Sequence, residues 1–389
     1  MIFAAWVFFL SLAACAYVYF GYPLLLLVLA RTRPRPVRGA RVHPRLTVVV
    51  PAHNEGEVIA AKVRSTLANG YPADRLEVLV ASDGSSDETV ARARAAGDGR
   101  VRVLDLPRRG KVPTLNAAAR QATGEVLVFT DADVFLEPGV LARVAESFAD
   151  PEVGGVAGRK VQSPDGVGHV ARGEGLYTRY DEWQKGLEST IGSAVASHGA
   201  LHALRRSLYV PVTDPTAADD MAISMRVVLQ GYRLVYDPRA VVRVEAPGAA
   251  GTEIRRKVRI ANQVMRALFG LGPALWTSGF YSVQLLSHKL LRYMVPFFLV
   301  LMLASSAWLA ARGAGPFWSV MLALQGAFYG AALAGAALRG SAMGRLRVLT
   351  VPYYFSLVNA AALLAVVSVL RGQRASAWSP RGGFNPDPT

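Results

Sequence analysis

A single cysteine, Cys15, in 389 residues excludes an internal disulfide and a cysteine-built metal site. It suits a body facing a reducing compartment. Acidic residues are missing from both ends. Residues 1–45 carry six arginines and no Asp or Glu, and residues 251–389 carry 14 Lys and Arg against only Glu253 and Asp387. The middle, 46–250, holds 23 bases and 26 acids, so the net charge of +15 belongs to the flanks. A nucleic-acid partner would require basic surface on the globular part, and that part is slightly acidic. Charge of either sign is absent from Met1–Ala30, 293–311, 316–338 and 348–370. Each run is long enough to span a bilayer.

What is present fits one globular body with membrane helices around it. The chain is 52% hydrophobic with mean hydropathy +0.27, too apolar for an ordinary soluble enzyme and too charged for a bare helix bundle. The expected organisation is an N-terminal transmembrane helix (1–30), a cytoplasmic α/β domain (46–250), amphipathic interfacial helices (251–292), three transmembrane helices (293–370) and a tail (371–389). Arg31, Arg33, Arg35, Arg38, Arg41 and Arg45 should stay cytoplasmic. That puts the N-terminus and the tail outside and the body inside, at a cytoplasmic (bacterial inner) membrane, with membrane lipid around the helices.

Within the body, Leu46–Val50, Leu76–Ala81, Val101–Leu104 and Val126–Thr130 read as buried strands. Glu57–Ala68, Asp87–Ala96 and Lys111–Ala122 read as helices between them. This alternation predicts a parallel sheet with helices on its faces, and ligands then bind beyond the carboxyl ends of the strands. Those ends carry Pro51-Ala52-His53-Asn54-Glu55, Asp83-Gly84-Ser85-Ser86-Asp87 and Asp131-Ala132-Asp133. Read as an extended segment, Asp131 and Asp133 would point the same way and offer two hard oxygens to Mg2+ or Mn2+. Ser85 and Glu88 have the spacing of a capping box. Lys111 opens a helix outside any P-loop spacing. Asp219-Asp220 precede Met221–Leu229, where one carboxylate can serve as a general base. Thr252–Phe269 reads as an amphipathic surface helix, with Ile254, Val258, Met265, Leu268 and Phe269 near one side.

Together these motifs resemble a membrane-bound family 2 glycosyltransferase of the GT-A (Rossmann-like, nucleotide-sugar-binding) fold, as in polysaccharide synthases and lipid glycosyltransferases. Val48 through Glu55 resembles the family's opening strand and nucleotide loop. Gly110-Lys111 through Leu115-Asn116 resembles the segment beside the diphosphate. Thr130-Asp131-Ala132-Asp133 resembles the metal-binding motif. Gly199 through Arg205 resembles the acceptor-side element, Asp219-Asp220 the element that ends in the catalytic base, and Ser287 through Arg292 the segment leading into the membrane. The resemblance implies a nucleotide-sugar donor (UDP-linked), a lipid-linked or saccharide acceptor and a divalent metal, and it admits subunits of a synthase complex as partners. It implies Asp220 as base and Asp131 and Asp133 on the metal. It implies Pro51, His53, Glu55, Asp83, Lys111, Asn116, Asp131, Asp219, Arg205, Arg256 and Arg259 around the substrates.

One departure bears on product length. Processive synthases carry Gln-x-x-Arg-Trp, and here Arg256-Lys257-Val258-Arg259-Ile260 takes that place. Ile260 offers no indole on which a glycan can stack. The expectation is therefore transfer of one or a few sugars. A processive synthase and a non-catalytic nucleotide-binding partner of a synthase are the rivals.

Overall fold

The computed structural model describes residues 1–162, 169–244, 250–338, 341 and 343–373. The tail beyond Gln373 and Arg339 lie outside the described residues.

β1 (Leu46–Ala52), β2 (Leu76–Asp83), β3 (Val101–Leu106) and β4 (Val126–Phe129) form the parallel half of an eight-stranded sheet of order β3-β2-β1-β4-β7-β6-β8-β5. Their register sets Val48 against Val78 and against Val128. Val48, Val50, Val78 and Val80 enter one core, while Val49, Leu79 and Leu127 enter the core on the other face. Burial on both faces explains why β1, β2 and β4 read as apolar runs rich in β-branched residues, whereas β3, at the sheet edge, is only partly buried. α2 (Ile59–Leu67), α3 (Thr89–Ala96) and α4 (Lys111–Gln121) connect them.

The other half of the sheet mixes parallel and antiparallel strands. β5 (Phe135–Leu136), α5 (Val140–Ser147), β6 (Val153–Gln162) and α6 (His169–Ile191) precede β7 (His202–Arg205), which runs antiparallel to both β4 and β6. After α7 (Asp219–Leu229), β8 (Arg233–Val244) lies parallel to β6 and antiparallel to β5. The reversal at β7 brings the loop before His202 to the carboxyl end of β4.

The expected capping box also differs. Ser85 Oγ lies 2.9 Å from Ser82 Oγ and accepts from the Asn54 amide at 3.1 Å. Asp87 is the residue that ties down the start of α3, accepting the Thr89 and Gly56 amides, each at 3.0 Å. A carboxylate two residues before the helix outcompetes a hydroxyl already used by the turn.

Four helices are long and apolar enough to cross a membrane: α1 (Ile2–Thr32), α9 (Phe280–Ala311), α10 (Pro316–Ala337) and α11 (Arg347–Leu370). α1 and α9 each contain a π-helical stretch, Tyr17–Gly21 and Leu285–Leu290, and the two meet through Tyr17 Oη and Ser287 Oγ at 2.8 Å. Before α9, α8 (Ala250–Phe269) does not bury the apolar set on one side. Leu268 enters the body core and Met265 packs with Ala365 and Val366 of α11, whereas Ile254 and Phe269 are exposed. The helix is a wedge between body and α11.

Candidate active site

The centre of the site is an ion-paired knot at the carboxyl end of β4. Lys111, the first residue of α4, places Nζ 2.8 Å from Asp131 Oδ1 and 3.3 Å from Asp219 Oδ2. Burial alone would lower this amine, but Asp131 and Asp219 outweigh it and hold the ammonium above its ordinary value. Asp219 and Asp220 open α7, where the helix dipole favours negative charge. Asp220 Oδ1 accepts the Met221 amide at 2.7 Å. Burial, then the neighbouring Asp219 carboxylate, lift Asp220 to about 6 against the pull of Lys111.

Gly199 makes this convergence possible. A methyl group there would lie 3.2 Å from Asp131 Oδ2 and 3.8 Å from both Asp220 Oδ2 and Lys111 Nζ. The preceding Ser197 Oγ donates to the Asp220 carbonyl at 3.0 Å, locking the loop to the start of α7.

The β1 and β2 ends complete the rim. Pro51 pairs with Ala81 inside the sheet, and His53 Nδ1 sits 2.8 Å from the Asp83 carbonyl. Glu55 is buried, its amide donates to Thr89 Oγ1 at 2.8 Å, and its carbonyl accepts the first amides of α2. Asp83 is fully buried and accepts from the Arg109 amide at 2.7 Å, from the Gly110 amide and from the Arg108 guanidinium. It thereby pins the loop that presents Lys111. Gly84, at φ 60°, lets that loop pass, because a Cβ there would lie 2.7 Å from the Arg108 nitrogen.

Asp131 and Asp133 do not lie in the extended segment expected. They occupy a turn closed by the Val134 amide on the Asp131 carbonyl at 3.3 Å, with Asp133 exposed at the mouth. Beneath the turn sits a residue that sequence reading missed. Lys62 of α2 is fully buried and its Nζ donates to Thr130 Oγ1 at 3.0 Å and to the Val134 carbonyl. Burial pulls its amine down to about 7, against Asp131 and Asp133. Its apolar stem on a core-facing helix gave no signal of that role.

Several sequence-derived residues are placed elsewhere. Asn116 organises the 209–212 turn, accepting from Tyr209 Oη at 2.7 Å and donating to the Val212 carbonyl at 2.8 Å. Arg205 lies opposite Val126, at the far end of β4 from Asp131. Its guanidinium donates to the Val153, Phe148 and Asp150 carbonyls. Arg256 donates to Glu174 Oε1 at 3.0 Å, and Arg259 Nε is buried without a hydrogen-bond partner among the described residues. The structure does not bring Arg205 to the Lys111 knot.

Among the described residues no three His, Cys, Asp or Glu side chains gather as a cation cage. Mg2+ and Mn2+ need no such cage when substrate phosphates and water complete the shell. The hard carboxylates of Asp131 and Asp133 therefore fit a metal shared with a diphosphate, and Lys111 occupies one Asp131 oxygen meanwhile.

A half-parallel sheet whose strand ends gather carboxylates and one lysine is the fold of a GT-A glycosyltransferase. Residues 47–209 match the model of the family described as glycosyl transferase family 2. The mannosyltransferase PcManGT from Pyrobaculum calidifontis, solved with GDP-Man and Mn2+, superposes with a TM-score of 0.71 at 25% identity, over 94% of this chain and 99% of that one. An N-acetylglucosaminyltransferase of Rhizobium leguminosarum bv. viciae is 25% identical over 238 residues, which is 57% of this chain and 56% of that protein. A poly-beta-1,6-N-acetyl-D-glucosamine synthase of Staphylococcus aureus (strain COL) is 27% identical over 225 residues, 56% of this chain and 53% of that protein. The chain thus spans little more than half the length of these curated relatives. Over residues 47–209 the globular body matches glycosyl transferase family 2.

Proposed function

We propose that this chain transfers one or a few sugars, with inversion, from a nucleoside diphosphate sugar to a lipid-linked or saccharide acceptor. The setting is the cytoplasmic face of a bacterial inner membrane, in cell-surface or extracellular polysaccharide synthesis. The observation that carries the reading is the convergence of Lys111, Asp131 and Asp220 on Gly199, with Asp219 paired to Lys111. UDP-N-acetylglucosamine is the first donor to test, because of the relatives' names, and GDP-mannose the second, because of the ligand in the structural neighbour.

In this reading Glu55 and Asp83 border the nucleoside, and Lys111 exchanges its carboxylate partners for the donor's diphosphate. Asp131 and Asp133 would hold the metal, which supplies positive charge to the departing diphosphate. Asp220 takes the proton of the acceptor hydroxyl as that oxygen attacks the anomeric carbon and the nucleoside diphosphate leaves. Arg256 and Arg259 are not needed at the diphosphate, and Asn116 and Arg205 act by holding loops.

The test incubates the purified full chain with each donor and membrane lipids, and follows nucleotide release and products by mass spectrometry. Excess EDTA and Asp133→Ala should each abolish transfer while the protein stays folded and membrane-bound. Full activity in EDTA would overturn the metal assignment, and no nucleotide release from either donor would overturn the donor assignment.

A further inference from the structure

α1, α9 and α10 share one course. Phe8 of α1 packs with Leu309 near the end of α9 and Trp318 near the start of α10. Further along α1, Tyr17 meets Ser287 of α9, and Tyr22 meets Glu188 of the body, which also binds His288. The body therefore lies at one end of these three helices and the 312–315 turn at the other.

α11 departs from that course. Near its start it touches the body end of α10, where a Cβ on Gly335 would lie 2.6 Å from the Leu349 carbonyl. Tyr354 then meets α6: its ring centre is 6.4 Å from that of Tyr177, and a Cβ on Gly173 would lie 2.5 Å from it. Val366 lies about 28 Å along α11, far enough to have reached Leu309 and Trp318 on a crossing path. Instead, Ala365 and Val366 pack with Ala261 and Met265 of α8 and with Tyr293, Met294 and Phe297, shortly after His288 in α9. Just beyond, Asn262 of α8 donates to Ser368 Oγ at 3.1 Å and to the Gln373 carbonyl at 3.3 Å, and Arg266 donates to that carbonyl at 3.0 Å. Val369 and Gly372 border one cleft with Asp214 of the body.

From Tyr354 to Gln373, α11 thus follows α8 and the body. α8 carries Arg255, Arg256, Lys257, Arg259 and Arg266, charges that do not enter hydrocarbon, so a helix lying along it does not cross either. The second half of α11 still keeps one apolar side, Ala360, Leu363, Leu364, Val367 and Leu370, exposed or half-exposed. A helix held by polar contacts on one side and apolar on the other suits the membrane surface.

We propose that α11 lies in the plane of the lipid leaflet on the body's side, its apolar side against acyl chains, so that three helices cross the membrane and Gln373 ends beside the body. Counting four spans by hydropathy puts the tail on the opposite side. With three, Arg371, Arg374 and Arg381 join Arg31 through Arg45 on the body's side, where arginine collects. The lipid surface then backs the site as well: the Ala218 amide, one residue before Asp219, donates to the Gln263 carbonyl of α8 at 3.0 Å.

The experiment uses the full chain with Cys15→Ala and one added cysteine, each variant checked by thermal melting, in right-side-out and inverted bacterial membrane vesicles. Gly99→Cys marks the body's side and Arg312→Cys the far side. A membrane-impermeant maleimide should label Arg371→Cys only in the vesicles in which it labels Gly99→Cys. Labelling of Arg371→Cys together with Arg312→Cys would overturn the proposal. Depth is read independently in phosphatidylcholine nanodiscs, from a bimane on Ala360→Cys at the middle of α11 and lipids with a nitroxide near the headgroup or near the chain end. Stronger quenching by the headgroup-proximal nitroxide is expected. Stronger quenching by the chain-end nitroxide would place Ala360 at the bilayer centre and show a crossing helix, and this reading decides if Arg371→Cys is shielded from both sides.

Discussion

Asp220 sets how the reaction should respond to pH. With its carboxyl lifted to about 6 by burial and Asp219, the residue is ionised at neutral pH and protonated just below it. A base works only when ionised, so turnover should fall as pH drops through about 6 rather than through the ordinary range near 4. Asp220→Asn should cost about 10²–10⁴-fold in rate and abolish that acid limb. Donor affinity should be retained, since Lys111 and Asp131 are untouched. A pH–rate profile with donor titrations checks all three. If donor affinity falls with turnover, Asp220 is a binding residue. His202, by contrast, is a core residue: it stacks on Phe129 at 5.0 Å, and burial holds it at about 4, neutral in the working range.

Elements decide whether those residues meet, and here the sequence was legible in part. The central parallel strands β1, β2 and β4 declared themselves because both faces are buried, and the residues at their ends followed. The second half hid for a physical reason. β6 carries Gly154, Gly155 and Gly158, where a Cβ would collide with Tyr232, Leu208, Leu234 or Leu201, so close packing replaced the β-branched signal. The Gly199–Arg205 motif could not reveal that an antiparallel strand separates its two ends, leaving Gly199 at the knot and Arg205 on three carbonyls at the far edge. Lys62 was invisible for the same reason, because its role depends on what lies above α2. Lys62→Met should leave the Val134 carbonyl without its lysine donor and loosen the Asp131–Asp133 turn. The expected cost is about 1–3 kcal/mol in stability, with weaker metal-dependent donor binding. Thermal melting and Mn2+-dependent donor titration measure the two effects. Unchanged donor affinity would mean that the turn holds without the lysine.

At the scale of the whole molecule, the body and the helices apolar enough to cross a membrane are joined by buried polar contacts. Tyr22 of α1 donates to Glu188 of α6 at 2.6 Å, and His288 of α9 bridges Glu188 and Asp181 at 2.7 and 2.9 Å. These contacts fix the site against the helices that are apolar enough to cross a membrane. Extruding a long glycan needs something different, a lined path through the helices. Several polar side chains of the candidate spans are turned to other uses. Ser305 donates to the Leu301 carbonyl, Ser306 to Leu303, Gln325 to Ser306 and Asn359 to the Phe355 carbonyl. Such contacts join helices or cap their own turns, and leave little to hold a moving sugar chain. Ile260, at the position that by resemblance carries tryptophan in processive synthases, is exposed and gives no stacking surface. Trp183 of α6 and Trp276, both exposed, are aromatics that offer a stacking face instead, as do Tyr177 and Tyr180. The product should therefore be short, one or a few sugars per acceptor, growing with time as acceptor is consumed. A time course with limiting acceptor, sized by gel or mass spectrometry, decides it. Long polymer appearing early beside unused acceptor would show a processive enzyme, and Trp183→Ala should then shorten that polymer.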